Sequence, residues 1–558
     1  MPSGMWSVKE SILFMRNRKN VSTNKSQTSS SVEVKVAITT LPSPFSSQII
    51  PYIILLVILV VAGFIIFHNI PAVNSYAYAS DEGTYFRQAT IIKNEGFAGF
   101  KTITQSYMQN PQEQVMPNPL RITHLGIAAL FLAIGGNSIT ALSYYSLLTF
   151  LALGVMNFIF IKKWWNTEIA LISTMLISYL PLTMGLARRA LMDTPYLFFA
   201  TLMLVLFIQF IQMPTTRHYY SFLAILTFTL LFKEITFFIL PFFIIALLWL
   251  KFVQQDPEIS YQHILTLVIV PGSITMTVYL LLCGAEPILL MSKFFNPTHI
   301  SNQESYASNF CSGPWYEYLV DFFMLSPFIS LLFFLYIGYY LLSKERNQII
   351  TVLINFLVYF VLVFSLFPKN PRYSINLTFI YTLCASLMLI KLVENYIKLA
   401  SKRNVILITT TILLCCVGIK DYYKFFIINN IYDPIAFNLL HTEGFIPKKL
   451  TSSSVEAYEV MRKVIAEPNE DNYLNLSFVY YKAGNYEDSI NITEKIIKLN
   501  PQNAVAYNNI CWAYGALKQW DKGIEACNKA LLISPSLASA KNNLELLQRE
   551  KAKSQKLE

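Results

Sequence analysis

The chain has 558 residues, of which 54% are apolar, 15% aromatic and only 14% charged; soluble globular proteins carry about 25% charged residues, so water cannot dissolve it along its whole length. Its formal charge of +10 sits in short Lys/Arg clusters between apolar runs, as in cytoplasmic membrane loops and not as on a nucleic-acid surface. Nucleic acid is excluded as a partner, and seven scattered cysteines form neither a disulfide framework nor a zinc site.

Crossing about 30 Å of hydrocarbon takes roughly 20 apolar residues. Eleven runs qualify as spans: 49–67, 138–161, 168–186, 195–213, 219–232, 235–252, 263–283, 326–343, 349–367, 374–391 and 404–420. The fifth is short and is parted from the sixth only by Lys233-Glu234, so the count is least secure there. The polar stretch 1–47 before the first run is too long for a cleaved signal peptide, and the run reads as a retained helix.

The stretch 1–47 carries Lys9, Arg16, Arg18, Lys19, Lys25 and Lys35, which places it in the cytoplasm. Eleven crossings then put Lys162-Lys163, Arg217, Lys251, Lys344/Arg346 and Lys391/Lys398/Lys402/Arg403 inside as well. Outside lie 68–137, 187–194, 284–325, 368–373 and the C-terminal tail. The long first outer loop is expected to hold two interfacial helices, 83–95 and 121–134.

From Glu470 the sequence matches itself at a period of 34: Tyr473 with Tyr507, Leu476 with Ile510, Tyr480 with Tyr514, Ile490 with Ile524 and Pro501 with Pro535. A third copy begins at Ala538. This resembles the tetratricopeptide repeat, in which paired antiparallel helices stack and proline ends each unit. Two repeats need caps for their apolar faces, and 453–467 and 538–552 are the candidates. The repeats read equally as a docking surface and as a packing module. Cys511 and Cys527, on the two helices of one repeat, read as buried apolar residues in preference to a bridge, which the expected outside location would permit.

Polar groups at the outer face carry the chemistry. Asp81-Glu82-Gly-Thr-Tyr85 follows the first span, and Arg188-Arg189-Ala-Leu-Met-Asp193-Thr-Pro fills the turn between the third and fourth. Lys233 interrupts an apolar stretch, where an ionisable group is a functional candidate, with an ion pair to Glu234 as the plainer reading. Lys369-Asn-Pro-Arg372-Tyr373 forms another basic turn. Basic groups there suit a lipid phosphate, because guanidinium grips phosphate oxygens in a bidentate fork. Carboxylates beside them suit proton abstraction or a divalent ion.

These four elements, in this order, resemble the GT-C membrane glycosyltransferases, in the branch of protein O-mannosyltransferases and aminoarabinose transferases, over about residues 48–390. The resemblance implies an inverting transferase fed by a polyprenyl-phosphate-linked sugar. Asp81 is then the base, Glu82 assists or orients it, and Asp193 completes the acidic site. Arg121, Arg188, Arg189, Lys233, Lys369, Arg372 and Tyr373 are then the donor-binding set. The aminoarabinose branch carries a Glu-Lys pair where this chain reads Gln112-Glu113-Gln114. Lipid A is therefore not implied as acceptor, and a divalent metal ion on Asp81 and Asp193 stays an open question.

The expected architecture is all-α. A cytoplasmic tail (1–47) precedes a GT-C-like membrane domain (48–420), a linker with a capping helix (421–469) and a repeat α-solenoid (470–552). The expected partners are the lipid-linked donor, membrane lipid and an acceptor or protein docked on the repeats. The expected place is the plasma (inner) membrane, with active site and repeats outside. A lipid or sugar transporter and a non-catalytic scaffold are the rival readings.

Overall fold

The computed structural model describes residues 49–70, 81–109, 117–286, 288, 315–343, 347–366, 371–397, 399–428, 469–482, 484 and 486–557. The chain divides into two compact units, Met1–Ile50 and Pro51–Glu558; the described part of the first is confined to its last two residues, and all that follows concerns the second.

The fold is all-α. Helix α1 (Ile50–His68) is followed by α2 (Asp81–Glu95), α3 (Ala98–Gln109) and α4 (Ile122–Gly135) in the first loop. The two expected interfacial helices are therefore α2 and α4, and α3 is a third that the sequence reading missed. Next come α5 (Ile139–Trp164), α6 (Thr167–Ser178), α7 (Pro181–Ala187), α8 (Asp193–Gln212) and α9 (Thr216–Leu230). Then follow α10 (Thr236–Leu248), α11 (Tyr261–Cys283), α12 (Glu317–Leu325), α13 (Pro327–Leu342) and α14 (Gln348–Phe364). A 3-10 helix over Pro371–Leu377 leads into α15 (Thr378–Tyr396), and α16 (Ala400–Tyr422) continues through a π-helical turn to Ile428, past the expected boundary at 420.

Local chemistry sets the ends. The Ser138 and Asn166 side chains accept from the first-turn amides of α5 and α6, at 3.2 and 2.9 Å, replacing partners that a helix start lacks. Pro181 opens α7, where its missing N–H costs nothing. Ser260 and His263 close a reciprocal capping box on α11.

Among the described residues, seven helices are by length and composition able to cross a membrane, or eight with α6 and α7 taken as one span bent by 59°. Pro327–Leu342 and Gln348–Phe364 are shorter apolar helices, and α9 has 15 residues. Each of the eleven expected runs is thus helical, but not each meets a span's length. Many apolar side chains on these helices face outward, among them Phe64, Leu281 and Leu413, as lipid contact requires.

The tail forms α17 (Glu470–Lys482), α18 (Tyr486–Leu499), α19 (Ala504–Ala516), α20 (Trp520–Ile533) and α21 (Ala538–Leu557), each packed on the next. The expected cap 453–467 lies outside the described residues. Cys511 and Cys527 form a disulfide, with Cα atoms 5.2 Å apart, which corrects the reading of both as unbridged. The repeat explains it: 34 residues earlier the same two positions hold Ser477 and Thr493, whose hydroxyls hydrogen-bond at 2.5 Å. The two helices of each repeat meet at this point, so two thiols placed there are within bonding reach.

Candidate active site

Four separate stretches bring their charges together. Helix α2 begins with Asp81 and Glu82 in its first turn, where the helix dipole favours negative charge. Tyr85 follows Asp81 by one turn and lies on the same face. The turn from Arg188 to Asp193 joins α7 to α8, Lys233-Glu234 joins α9 to α10, and Arg372-Tyr373 lies in the 3-10 helix before α15.

Asp81, Arg372, Asp193 and Lys233 form an alternating chain of charges. Arg372 donates from Nη2 to Asp81 Oδ2 at 3.1 Å, and its Nη1 lies 4.0 Å from Asp193 Oδ2. Lys233 Nζ donates to the other oxygen of Asp193 at 3.2 Å. The ammonium also lies over the rings of Tyr196 and Tyr373, 5.2 and 5.1 Å from their centres, a further electrostatic attraction. Side-chain exposure is 5% for Asp193 and 6% for Lys233, but 35% for Asp81. Asp81 is the carboxylate of this chain that an incoming molecule reaches.

Two further pairs brace the cluster. Glu82 is buried and accepts from Arg189 Nε and Nη2 at 2.8 and 2.6 Å, and from the Ala190 amide at 2.9 Å. This pins the start of α2 to the turn before Asp193. Glu234 accepts from Arg121 Nε at 2.9 Å and again from Nη2, while Arg121 Nη1 donates to the Tyr85 hydroxyl. That hydroxyl lies 3.1 Å from Met192 Sδ. Burial opposes ionisation of Glu234, but the Arg121 guanidinium outweighs it and holds the carboxyl below the usual glutamate range. His124, in the first turn of α4, packs edge-on to Tyr85 with ring centres 4.8 Å apart.

Asp81, Asp193, Lys233, Arg372 and Tyr373 therefore meet in one place, with Glu82, Arg189 and Arg121 in the pairs beside it. Arg188 donates to the Asn69 carbonyl at the end of α1, at 2.9 Å. Lys369 lies outside the described residues. The sequence reading missed Glu234 and Tyr85 as part of the site. The plainer reading of Lys233, an ion pair with its neighbour Glu234, does not hold: Lys233 pairs with Asp193 and Glu234 with Arg121. Tyr85 stood in the Asp-Glu-x-x-Tyr element, one helical turn from Asp81, and that spacing was the available signal.

A divalent ion on Asp81 and Asp193 does not fit this arrangement. The Arg372 guanidinium already lies between the two carboxylates, and among the described residues no group of three His, Cys, Asp or Glu side chains converges to hold a metal.

Residues 122–278 match the dolichyl-phosphate-mannose-protein mannosyltransferase family, and residues 470–503 match the tetratricopeptide repeat. The first match takes in Arg188, Arg189, Asp193, Lys233 and Glu234, but stops short of Asp81, Glu82, Arg121 and Arg372. It bears out the resemblance read from the sequence and indicates a membrane glycosyltransferase, and the second adds a protein-interaction repeat. No curated protein matches the chain. Among solved structures, the crystal structure of the APC/C hetero-tetramer Cut9-Hcn1 is matched at 12% identity over 80% of this chain and 98% of that one. Its TM-score of 0.17 carries no argument.

Proposed function

We propose that this protein transfers a sugar from a polyprenyl-phosphate carrier to a hydroxyl acceptor, with inversion at the anomeric carbon, on the extracytoplasmic face of the plasma (inner) membrane. The observation that carries the reading is the Asp81–Arg372–Asp193–Lys233 chain, which sets one reachable carboxylate beside two cations. In a single displacement the acceptor oxygen bonds to the anomeric carbon as the bond from that carbon to the phosphate oxygen breaks. Asp81 receives the hydroxyl proton as the attack proceeds. Arg372 and Lys233 stabilise the charge gathering on the departing polyprenyl phosphate. Glu82 orients α2 through Arg189, and Arg121 holds Tyr85. Asp193 keeps Lys233 and Arg372 aimed at the same place.

Topology supports the assignment of face. Helix α8 starts at Asp193 and α9 ends just before Lys233; the two helices pack together, and Asp193 and Lys233 touch. The short α9 runs back along α8, which supports counting both among the crossings. Eleven crossings put every short basic loop inside and the site outside. The disulfide Cys511–Cys527 supports an oxidising location for the repeats, where they dock the acceptor or a protein partner.

The direct test supplies the full-length protein in lipid nanodiscs with radiolabelled mannose on polyprenyl phosphate or on a nucleotide. Release of polyprenyl phosphate with transfer of label from the lipid carrier alone is the expected result. Transfer from the nucleotide alone contradicts the reading.

A further inference from the structure

The four-charge chain has a consequence for how the site fills. Two anions and two cations balance, so a donor phosphate brings a negative charge with no spare partner in the chain. It competes with the two carboxylates for these cations, because an unpaired buried anion is strongly disfavoured.

The two cations are not equally available. Lys233 is 6% exposed and sits between two tyrosine rings; its departure strips Asp193, itself 5% exposed, of its close partner. Arg372 is shared between both carboxylates, at 3.1 Å from Asp81 and 4.0 Å from Asp193. Its departure leaves Asp193 still held by Lys233 and uncovers Asp81, which is 35% exposed and open to a hydroxyl or to water. The guanidinium is also the better phosphate ligand, since its planar fork matches two oxygens at once. Geometry and chemistry select the same cation.

We infer that Arg372 is a latch: without donor it holds the Asp81 carboxylate, and an arriving phosphate draws the guanidinium off and frees Asp81 Oδ2 for the acceptor hydroxyl. The inference rests on the polyprenyl-phosphate reading above and adds an order to it, because the base is prepared by donor binding and the acceptor engages afterwards. In a donor-free site Asp81 Oδ2 is held in the ion pair with Arg372 and does not take up a hydroxyl proton.

The experiment measures labelling of Asp81 by a water-soluble carbodiimide and an amine, quantified by peptide mass spectrometry on the full-length protein in nanodiscs. Four arms are compared: no ligand, polyprenyl phosphate, the phosphate-free polyprenol, and inorganic phosphate. Polyprenyl phosphate is expected to raise labelling severalfold, and polyprenol to leave it unchanged. Arg372→Gln is expected to be labelled strongly without ligand and to show no further rise. An equal rise with inorganic phosphate supports the latch and reassigns its trigger to a free phosphate. Binding of radiolabelled polyprenyl phosphate without a rise in wild-type Asp81 labelling overturns the latch and leaves the donor reading standing. Absence of that binding overturns the donor reading itself. The wild-type arms decide the matter even where Arg372→Gln fails to fold.

Discussion

Replacing Cys511 by Ser and Cys527 by Thr installs in the second repeat the pair that the first repeat already holds at Ser477 and Thr493. The disulfide links residues 16 apart, and closing a loop of about 15 residues restrains the unfolded chain by about 3 kcal/mol. A hydroxyl pair with the geometry of Ser477 and Thr493 returns about 1 kcal/mol. The double variant should therefore lose about 2 kcal/mol, roughly a 30-fold shift in the local opening equilibrium. Hydrogen exchange of the full-length protein reads this directly. Peptides within 504–533 should exchange faster, while 470–499, the hydroxyl-paired repeat, serves as the internal reference. Dithiothreitol should speed exchange in the wild type and have no effect on the double variant. Unchanged exchange in 504–533 under both treatments refutes the reasoning.

Other consequences are open to measurement. Glu82→Gln leaves Arg189 buried beside a neutral partner, and breaking a buried pair in this way costs about 3–5 kcal/mol; thermal unfolding in detergent should drop well below wild type, and an unchanged midpoint argues against the pairing. Glu234, held by Arg121 below the usual glutamate range, contributes stability that is full above the unfolded value of about 4.3. That contribution is lost as pH falls through the lower folded value, so acid unfolding of wild type should show a component that Glu234→Gln lacks. The anomeric configuration of the product, read by NMR coupling, should be opposite to that of the donor; retention contradicts a single displacement.

Much of the fold was legible because membrane solvation imposes a coarse rule. A run of apolar residues long enough to cross hydrocarbon must be helical to satisfy its backbone, and each expected run is helical, 168–186 as the bent pair α6 and α7. The repeats were legible because stacking demands the same residue classes every 34 positions. The site was legible as a set of residues, since charges at membrane depth are costly and stand out. Its pairings were not, because they depend on which stretches converge. Lys233 and Glu234 are neighbours in sequence, yet one reaches Asp193 and the other Arg121. Helix α3 escaped notice because its apolar residues are few and interspersed with polar ones. The disulfide was harder to read, because apolar burial and an outside location left both outcomes open at Cys511 and Cys527; the contact between the two helices of a repeat, which Ser477 and Thr493 make in the first, decides it.

Sugar transfer by Asp81→Asn, assayed beside retention of polyprenyl phosphate by the same preparation, bears on the central claim most directly. The side chain keeps its size and loses its capacity to take a proton. Transfer should fall by about 10²-fold or more, in keeping with loss of a general base, while the lipid phosphate is still bound. Wild-type turnover in Asp81→Asn contradicts the account.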